Sequence, residues 1–152
     1  MTNSTGDAWL LQLPGPYRAA IGLREMLYVL PEEPVSHLVP LSRPHAARVM
    51  VWQSQLVPLI DLTVFLGGDP APDARRMIGI VSCTAGNDSK SPNRLGALMI
   101  SGTPERIQVS DHQACGLPPA PAQWRSIAAS CFRHPDHGPV PILDLAAILI
   151  PS

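Results

Sequence analysis

The run Leu56-Val57-Pro58-Leu59-Ile60-Asp61-Leu62 returns 83 positions later as Val140-Pro141-Ile142-Leu143-Asp144-Leu145, and a strand-to-turn device used twice limits the fold more than any other feature of the chain. A structural unit built twice is the first expectation. In each copy a Pro interrupts an otherwise strand-like apolar run, and an Asp stands where that run gives way to helical spacing, Leu62 to Leu66 and Leu145 to Leu149. Asp in that place suits a helix N-cap. Its carboxylate accepts from the free backbone N–H groups two and three residues on and complements the positive helix end, an effect of about 0.5–2 kcal/mol. Asp61 and Asp144 therefore read as structural caps rather than as a catalytic pair.

Proline content narrows the class further. The chain has 18 prolines in 152 residues, about twice the usual ~5 %, and Pro breaks helix interiors and central strands alike. Long helices are nearly excluded. The 45 % apolar content is enough for a sizeable core in one domain of ordinary size. Charge is balanced at −1 from 11 basic and 12 acidic residues, scattered along the chain, so there is no footprint for nucleic acid and no polybasic membrane anchor. No apolar run reaches the ~18–20 residues of a membrane span, and the polar start shows no signal-peptide pattern. Three cysteines, Cys83, Cys115 and Cys131, make no disulfide framework and read as small core residues in a reducing compartment. The expected location is cytoplasmic.

Along the chain, a polar tail over 1–8 precedes Trp9-Leu10-Leu11-Gln12-Leu13, a strand closed by Pro14-Gly15-Pro16. Residues 17–30 fit helical spacing or a strand over Ala19 to Leu23 with a turn at Arg24-Glu25, and the strand is preferred. Pro31, Pro34, Pro40 and Pro44 leave only a short apolar piece near Val35 to Leu41. Arg48 to Trp52 and Leu56 to Ile60 form a hairpin pattern around Gln53-Ser54-Gln55, without the Gly such a tip favours. A helical turn from Leu62 stops at Gly67-Gly68, as a glycine C-cap makes it do. Beyond a linker near 68–76, strands are expected over Met77 to Cys83, Leu95 to Ile100, Arg106 to Val109, Ser126 to Phe132 and Val140 to Leu143, with an exposed polar loop over 85–93. The expected fold is mainly β, as two pseudo-symmetric five-stranded barrels with short helical turns.

The ordered blocks carry a resemblance. The hairpin, the first V-P-x-x-D-L, the helical turn, Leu95-Gly96-Ala97-Leu98-Met99 and the closing Val140 to Leu145 together resemble the CheW-like domain of bacterial chemosensory coupling proteins. What the resemblance implies is a single domain over 9–150 of two packed SH3-like barrels, without enzymatic activity or cofactor. Its implied partners are a CheA-type histidine kinase and the cytoplasmic tip of a methyl-accepting chemoreceptor, with recruitment to membrane-bound receptor arrays. Small barrels suit an adaptor, because short exposed strands and hairpin ends supply separate surfaces for two partners. Exposed barrel edges are also compatible with a homodimer.

Departures from the family pattern are concentrated upstream of Pro58. Members often carry G-x-x-N-x-R-G there, and Arg48, Val51, Gln53 and Ser54 occupy those four positions. Gln53 lacks a charge that pairs with a partner carboxylate, and Ser54 replaces a glycine suited to positive φ. Ile100 stands where an Asp is often found. Arg48, Val51, Trp52, Gln53, Ser54 and Gln55 are the candidate partner-binding residues, with Val51 and Trp52 equally readable as interface or core. The rewritten segment also points to an alternative, an accessory CheW-like protein of a type IV pilus or twitching-motility system.

A rival of another class is a zinc-binding module. His112 with Cys115, and Cys131 with His134 and His137, place successive donors with two residues between them, a spacing that closes tetrahedral sites. No Gly-rich knuckle surrounds either Cys, so loop histidines and core cysteines are the preferred reading. The sequence has no G-x-S-x-G, Walker, G-x-G-x-x-G or H-E-x-x-H motif, leaving no residue to assign to catalysis. Trp9 and Trp124 read as packing residues beside strands, and Arg75-Arg76 as a solvated strand entrance.

Overall fold

The computed structural model describes residues 5–31, 36–40, 43–46, 48–69, 77–84 and 93–149. These form strands β1 (Thr5–Gln12), β2 (Arg18–Gly22), β3 (Met26–Leu30), β4 (Ser36–Leu38), β5 (Arg48–Trp52), β6 (Gln55–Ile60), β7 (Met77–Thr84), β8 (Asn93–Ile100), β9 (Glu105–Ser110), β10 (Ala128–His134) and β11 (Gly138–Leu143). Three single-turn helices, α1 (Leu62–Phe65), α2 (Trp124–Ile127) and α3 (Leu145–Leu149), complete the set with short 3₁₀ turns. None of the described helices is long and apolar enough to cross a membrane.

The strands make two curled sheets, one in the order β10-β11-β2-β1-β9 and one in the order β3-β7-β8-β6-β5-β4. Without β4 the two share one plan. A hairpin carrying the V-P-x-x-D-L device, β5–β6 or β10–β11, lies parallel to a strand of a second hairpin, β7–β8 or β1–β2. The parallel contacts are Leu59 opposite Ala97 and Ile142 opposite Ala20. A further antiparallel strand, β3 or β9, forms the far edge. The five-stranded expectation therefore holds for one sheet, while β4 adds a sixth strand to the other by pairing with β5.

Chain order differs from a first-half, second-half arrangement. Residues 26–100 build the six-stranded sheet, and the five-stranded one gathers β1 and β2 from the start of the chain with β9 to β11 from its end. The linker near 68–76 thus joins α1 to β7 on the same sheet instead of dividing the barrels; residues 70–76, including Arg75-Arg76, lie outside the described residues, as does most of the 85–93 loop. The tail is shorter than expected, because Thr5 to Ala8 pair with β9 through backbone groups whatever their side chains. Ser126 and Ile127 belong to α2 rather than to a strand, and β10 starts at Ala128.

Burial explains why so many strands read as continuous apolar runs. Met50, Val57, Leu59, Ile78, Ile80, Ala97 and Met99 fill the inside of the six-stranded sheet, and Leu10, Ala20, Phe132 and Val140 the inside of the five-stranded one. On the central strands the alternate residues point the other way, into a third and largest core between the sheets. Leu11, Ala19, Ile21, Leu143 and Leu145 meet Ile60, Leu62, Val81, Leu98 and Ile100 there. Central strands buried on both faces lose the period-two polar signal.

The helical turns seal this middle layer. Asp61 Oδ1 accepts from the N–H of Thr63 at 3.1 Å and of Val64 at 3.4 Å, and α1 ends at Gly67 with φ +88°. The Thr63 hydroxyl donates to the Pro14 carbonyl, tying α1 to the β1–β2 turn. Asp144 Oδ1 accepts from Ala147 N–H at 3.3 Å, and its own N–H donates to the Ile127 carbonyl at 2.7 Å, joining α3 to α2. Trp124 on α2 is buried at 2 % exposure and packs edge-on to Tyr17, with ring centroids 6.1 Å apart. The indole sits inside the inter-sheet core instead of flanking a strand.

Candidate partner-binding surface

The β5–β6 hairpin carries the segment that departs from the family signature. Its register sets Trp52 opposite Gln55 and Val51 opposite Leu56 across a two-residue turn. Gln53 (φ 48°) and Ser54 (φ 64°) both adopt the left-handed region, the geometry of the tight turn that matches strand twist. Neither is a glycine, so each side chain sits where an L-residue carries a steric cost of about 1–2 kcal/mol. The hairpin holds its register through the Met50 and Val57 pair beneath the tip, both buried.

Strand alternation then decides which candidates face out. Val51 is 57 % and Leu56 73 % exposed, an apolar cross-strand pair directed at solvent. Trp52 points to the opposite face and packs half-buried against the core inside the sheet, so its indole supports the hairpin from within. Gln53, Ser54 and Gln55 form the exposed tip. Arg48 stands at the other end of β5, where its Nη1 donates to the Ser36 hydroxyl of β4 at 3.1 Å. The six candidates thus divide into a tip (Val51, Gln53, Ser54, Gln55), an inner support (Trp52) and a remote tie to β4 (Arg48). Ile100, at the end of β8, is fully buried in the inter-sheet core.

Leu56 escaped the sequence reading although the signal was present. Two-residue turns pair the positions flanking them, so an outward Val51 implies an outward residue opposite it. The other large exposed apolar side chains among the described residues are Leu27 and Tyr28 on β3, Leu38 on β4 and the adjoining Val39. Five of the six lie on strands of the six-stranded sheet, and Val39 directly follows β4. Isolated exposed apolar residues are ordinary, but their restriction to one side of the fold makes that sheet the candidate surface.

A second feature is a cleft of about 520 Å³ where the sheets meet, lined by Arg24, Glu25, Ser82, Cys83, Asn93 and Asp144 among others. Burial and the nearby Asp144 charge raise the Glu25 carboxyl above its ordinary value, against the lowering effect of the Gly22 N–H that donates to it at 2.7 Å. Burial likewise pushes the Cys83 thiol up, with the Glu25 and Asp144 charges adding to it.

The proposed zinc donors do not converge. The Cys115 and Cys131 sulfurs are 3.5 Å apart, and the His134 and His137 rings are 4.6 Å apart at the β10–β11 turn. His134 Nδ1 accepts from the Asp136 N–H. Among the described residues no three His, Cys, Asp or Glu side chains come together as a metal site. Spacing alone is suggestive because it does not record side-chain direction: Cys115 and Cys131 meet across the two segments, but among the described residues no third donor joins them.

The profile of the CheW-like domain matches residues 15–150. The chain belongs to the CheW-like domain family. The scaffolding protein TtCheW from Thermoanaerobacter tengcongensis is similar in structure at a TM-score of 0.75 and 13 % identity, over 97 % of this chain and 95 % of that one. At that identity the likeness shows the CheW-like fold. No curated protein matches the chain. Within a CheW-like frame the two V-P-x-x-D-L copies are the matching corners of the two sheets, and of the four rewritten residues Val51, Gln53 and Ser54 occupy one exposed hairpin tip while Arg48 stands at the far end of β5.

Proposed function

We propose that this CheW-like protein is a non-enzymatic cytoplasmic adaptor that couples chemoreceptors to a CheA-type histidine kinase in bacterial chemosensory signalling. The observation that carries the reading beyond family membership is the outward Val51–Leu56 pair at the tip of the six-stranded sheet. Covering one aliphatic side chain contributes about 1.5–3 kcal/mol, so two adjacent ones supply a compact anchor for a kinase domain. Coupling then follows from holding two partners at a fixed separation across a rigid core.

Titration with the regulatory domain of the cognate kinase tests this. Val51→Asp with Leu56→Asp is expected to weaken binding at least tenfold with an unchanged circular dichroism spectrum, since both side chains are exposed. No binding by the unsubstituted protein above background overturns the proposal, and undiminished binding by the double variant removes the hairpin tip from it.

A second reading is favoured by the tip itself. Gln53 and Ser54 hold positive φ without glycine, and Arg48 is engaged by Ser36, so the surface offered differs from the usual family signature. That suits an accessory CheW-like protein of a type IV pilus chemosensory system with altered receptor contacts. Retained kinase binding together with no binding to a methyl-accepting receptor tip favours this reading over the first.

A further inference from the structure

Cys115 and Cys131 face each other across the seam that closes the five-stranded sheet. β9 and β10 are the two edges of that sheet, and the chain leaving β9 crosses through a 3₁₀ turn over Asp111–Gln113 to bridge β10 at Ala114 opposite Phe132. Antiparallel pairing puts the next residue, Cys115, opposite Cys131, and the Cys115 N–H donates to the Cys131 carbonyl at 3.0 Å. The sulfurs are 3.5 Å apart and both thiols are free. Opposed residues on such a ladder have α-carbons about 4.5–5.5 Å apart, inside the ~4.4–6.8 Å range of disulfides. Contact becomes a bond of ~2.05 Å when each sulfur moves by less than about 1 Å.

We propose that Cys115 and Cys131 are a redox site, oxidised by hydrogen peroxide to an intramolecular disulfide that staples the crossing segment to β10. Cys115, the half-buried partner, reacts first: its sulfur attacks one peroxide oxygen, the O–O bond breaks, and a sulfenic acid and water form. The Cys131 sulfur then attacks Cys115 Sγ, the S–OH bond breaks, and hydroxide leaves with the Cys131 proton as a second water. Two thiols are oxidised by two electrons and one peroxide is reduced to two waters. A dithiol reductant reverses the bond by exchange.

The surroundings assign the roles. Cys131 is buried, and burial together with the adjoining Cys115 pushes its thiol up to about 12, so the more accessible Cys115 is the partner that meets the oxidant. Cys83 lies in the cleft between the sheets, its thiol also raised, so it stays outside the reaction. The bond encloses residues 116–130, which carry α2 and Trp124 of the inter-sheet core. Oxidation therefore restrains an element that both sheets share.

The test treats the full chain with stoichiometric hydrogen peroxide, alkylates the remaining thiols and maps them by mass spectrometry. The expected product is monomeric and 2 Da lighter before alkylation, with a Cys115–Cys131 cross-link, Cys83 as the one thiol then alkylated, and a thermal midpoint higher by several degrees that dithiothreitol restores. Cys83→Ser keeps this behaviour, and Cys115→Ser, at a half-buried position, abolishes it. Three alkylatable thiols after treatment, a bridge that includes Cys83, an intermolecular dimer, or Cys115 carried to sulfinic acid without a cross-link overturns the proposal.

Discussion

Asp61 and Asp144 occupy matching positions in the two sheets but do unequal work. The Asp61 carboxylate is 6 % exposed and accepts from two backbone N–H groups, while Asp144 is exposed and its carboxylate accepts from one at 3.3 Å. Solvent replaces a lost acceptor at the second site and not at the first. Asp61→Ala is expected to cost about 1–2 kcal/mol in urea unfolding and Asp144→Ala less than about 1 kcal/mol. Glu25 adds a pH dependence of defined sign. Its folded pKa is raised, so its contribution to stability is fully present below the ordinary carboxyl value of 4.5 and is lost as pH rises through the folded value. Glu25→Gln keeps an acceptor for the Gly22 N–H without the charge. The variant is therefore expected to gain on the parent as pH rises through that window, read as the difference in urea midpoints across a pH series; a constant difference rules out the assignment.

At the scale of elements, the docking of α3 depends on the absence of a side chain on β8. A Cβ at Gly96 would collide with the Leu149 side chain, so the glycine of the Leu95-Gly96-Ala97-Leu98 block is the seat of the second device's helix. Gly96→Ala is expected to destabilise by about 1–3 kcal/mol through overpacking. Combined with Leu149→Ala, part of that loss should be recovered, giving a non-additive cycle of at least about 0.5 kcal/mol in chemical denaturation. Additive losses exclude the contact as the cause. The caps, the hairpin around Gln53-Ser54 and the Gly67 stop were legible in the sequence because each rests on residues within a few positions of one another. α2 was not, since Ser126 and Ile127 carry no local helical signal and the turn is held by Trp124 entering a core made by distant strands. At the candidate surface the segment was legible and its division was not: only the register shows Val51 and Leu56 outward with Trp52 inward.

The whole molecule is organised by the core between the sheets. Side chains from both sheets interdigitate there, and the five-stranded sheet needs both ends of the chain, so the smaller core inside each barrel is backed by a larger one that both share. Urea unfolding is expected to give one transition, with far-ultraviolet circular dichroism and tryptophan fluorescence coincident, and Trp124→Ala to lower stability by about 3–5 kcal/mol without splitting it. Two separated transitions contradict a shared core. By itself the sequence determined the mainly-β class, the twice-used corner, its caps and the family, since proline spacing and local hydrogen bonding act over a few residues. Only the tertiary structure decided that the first strands join the last, that β6 and β7 on either side of the linker near 68–76 belong to one sheet, and that Cys115 meets Cys131. Those outcomes depend on which faces bury each other across the fold, and the repeated corner, identical in kind at both places, does not specify which strands will lie beside it.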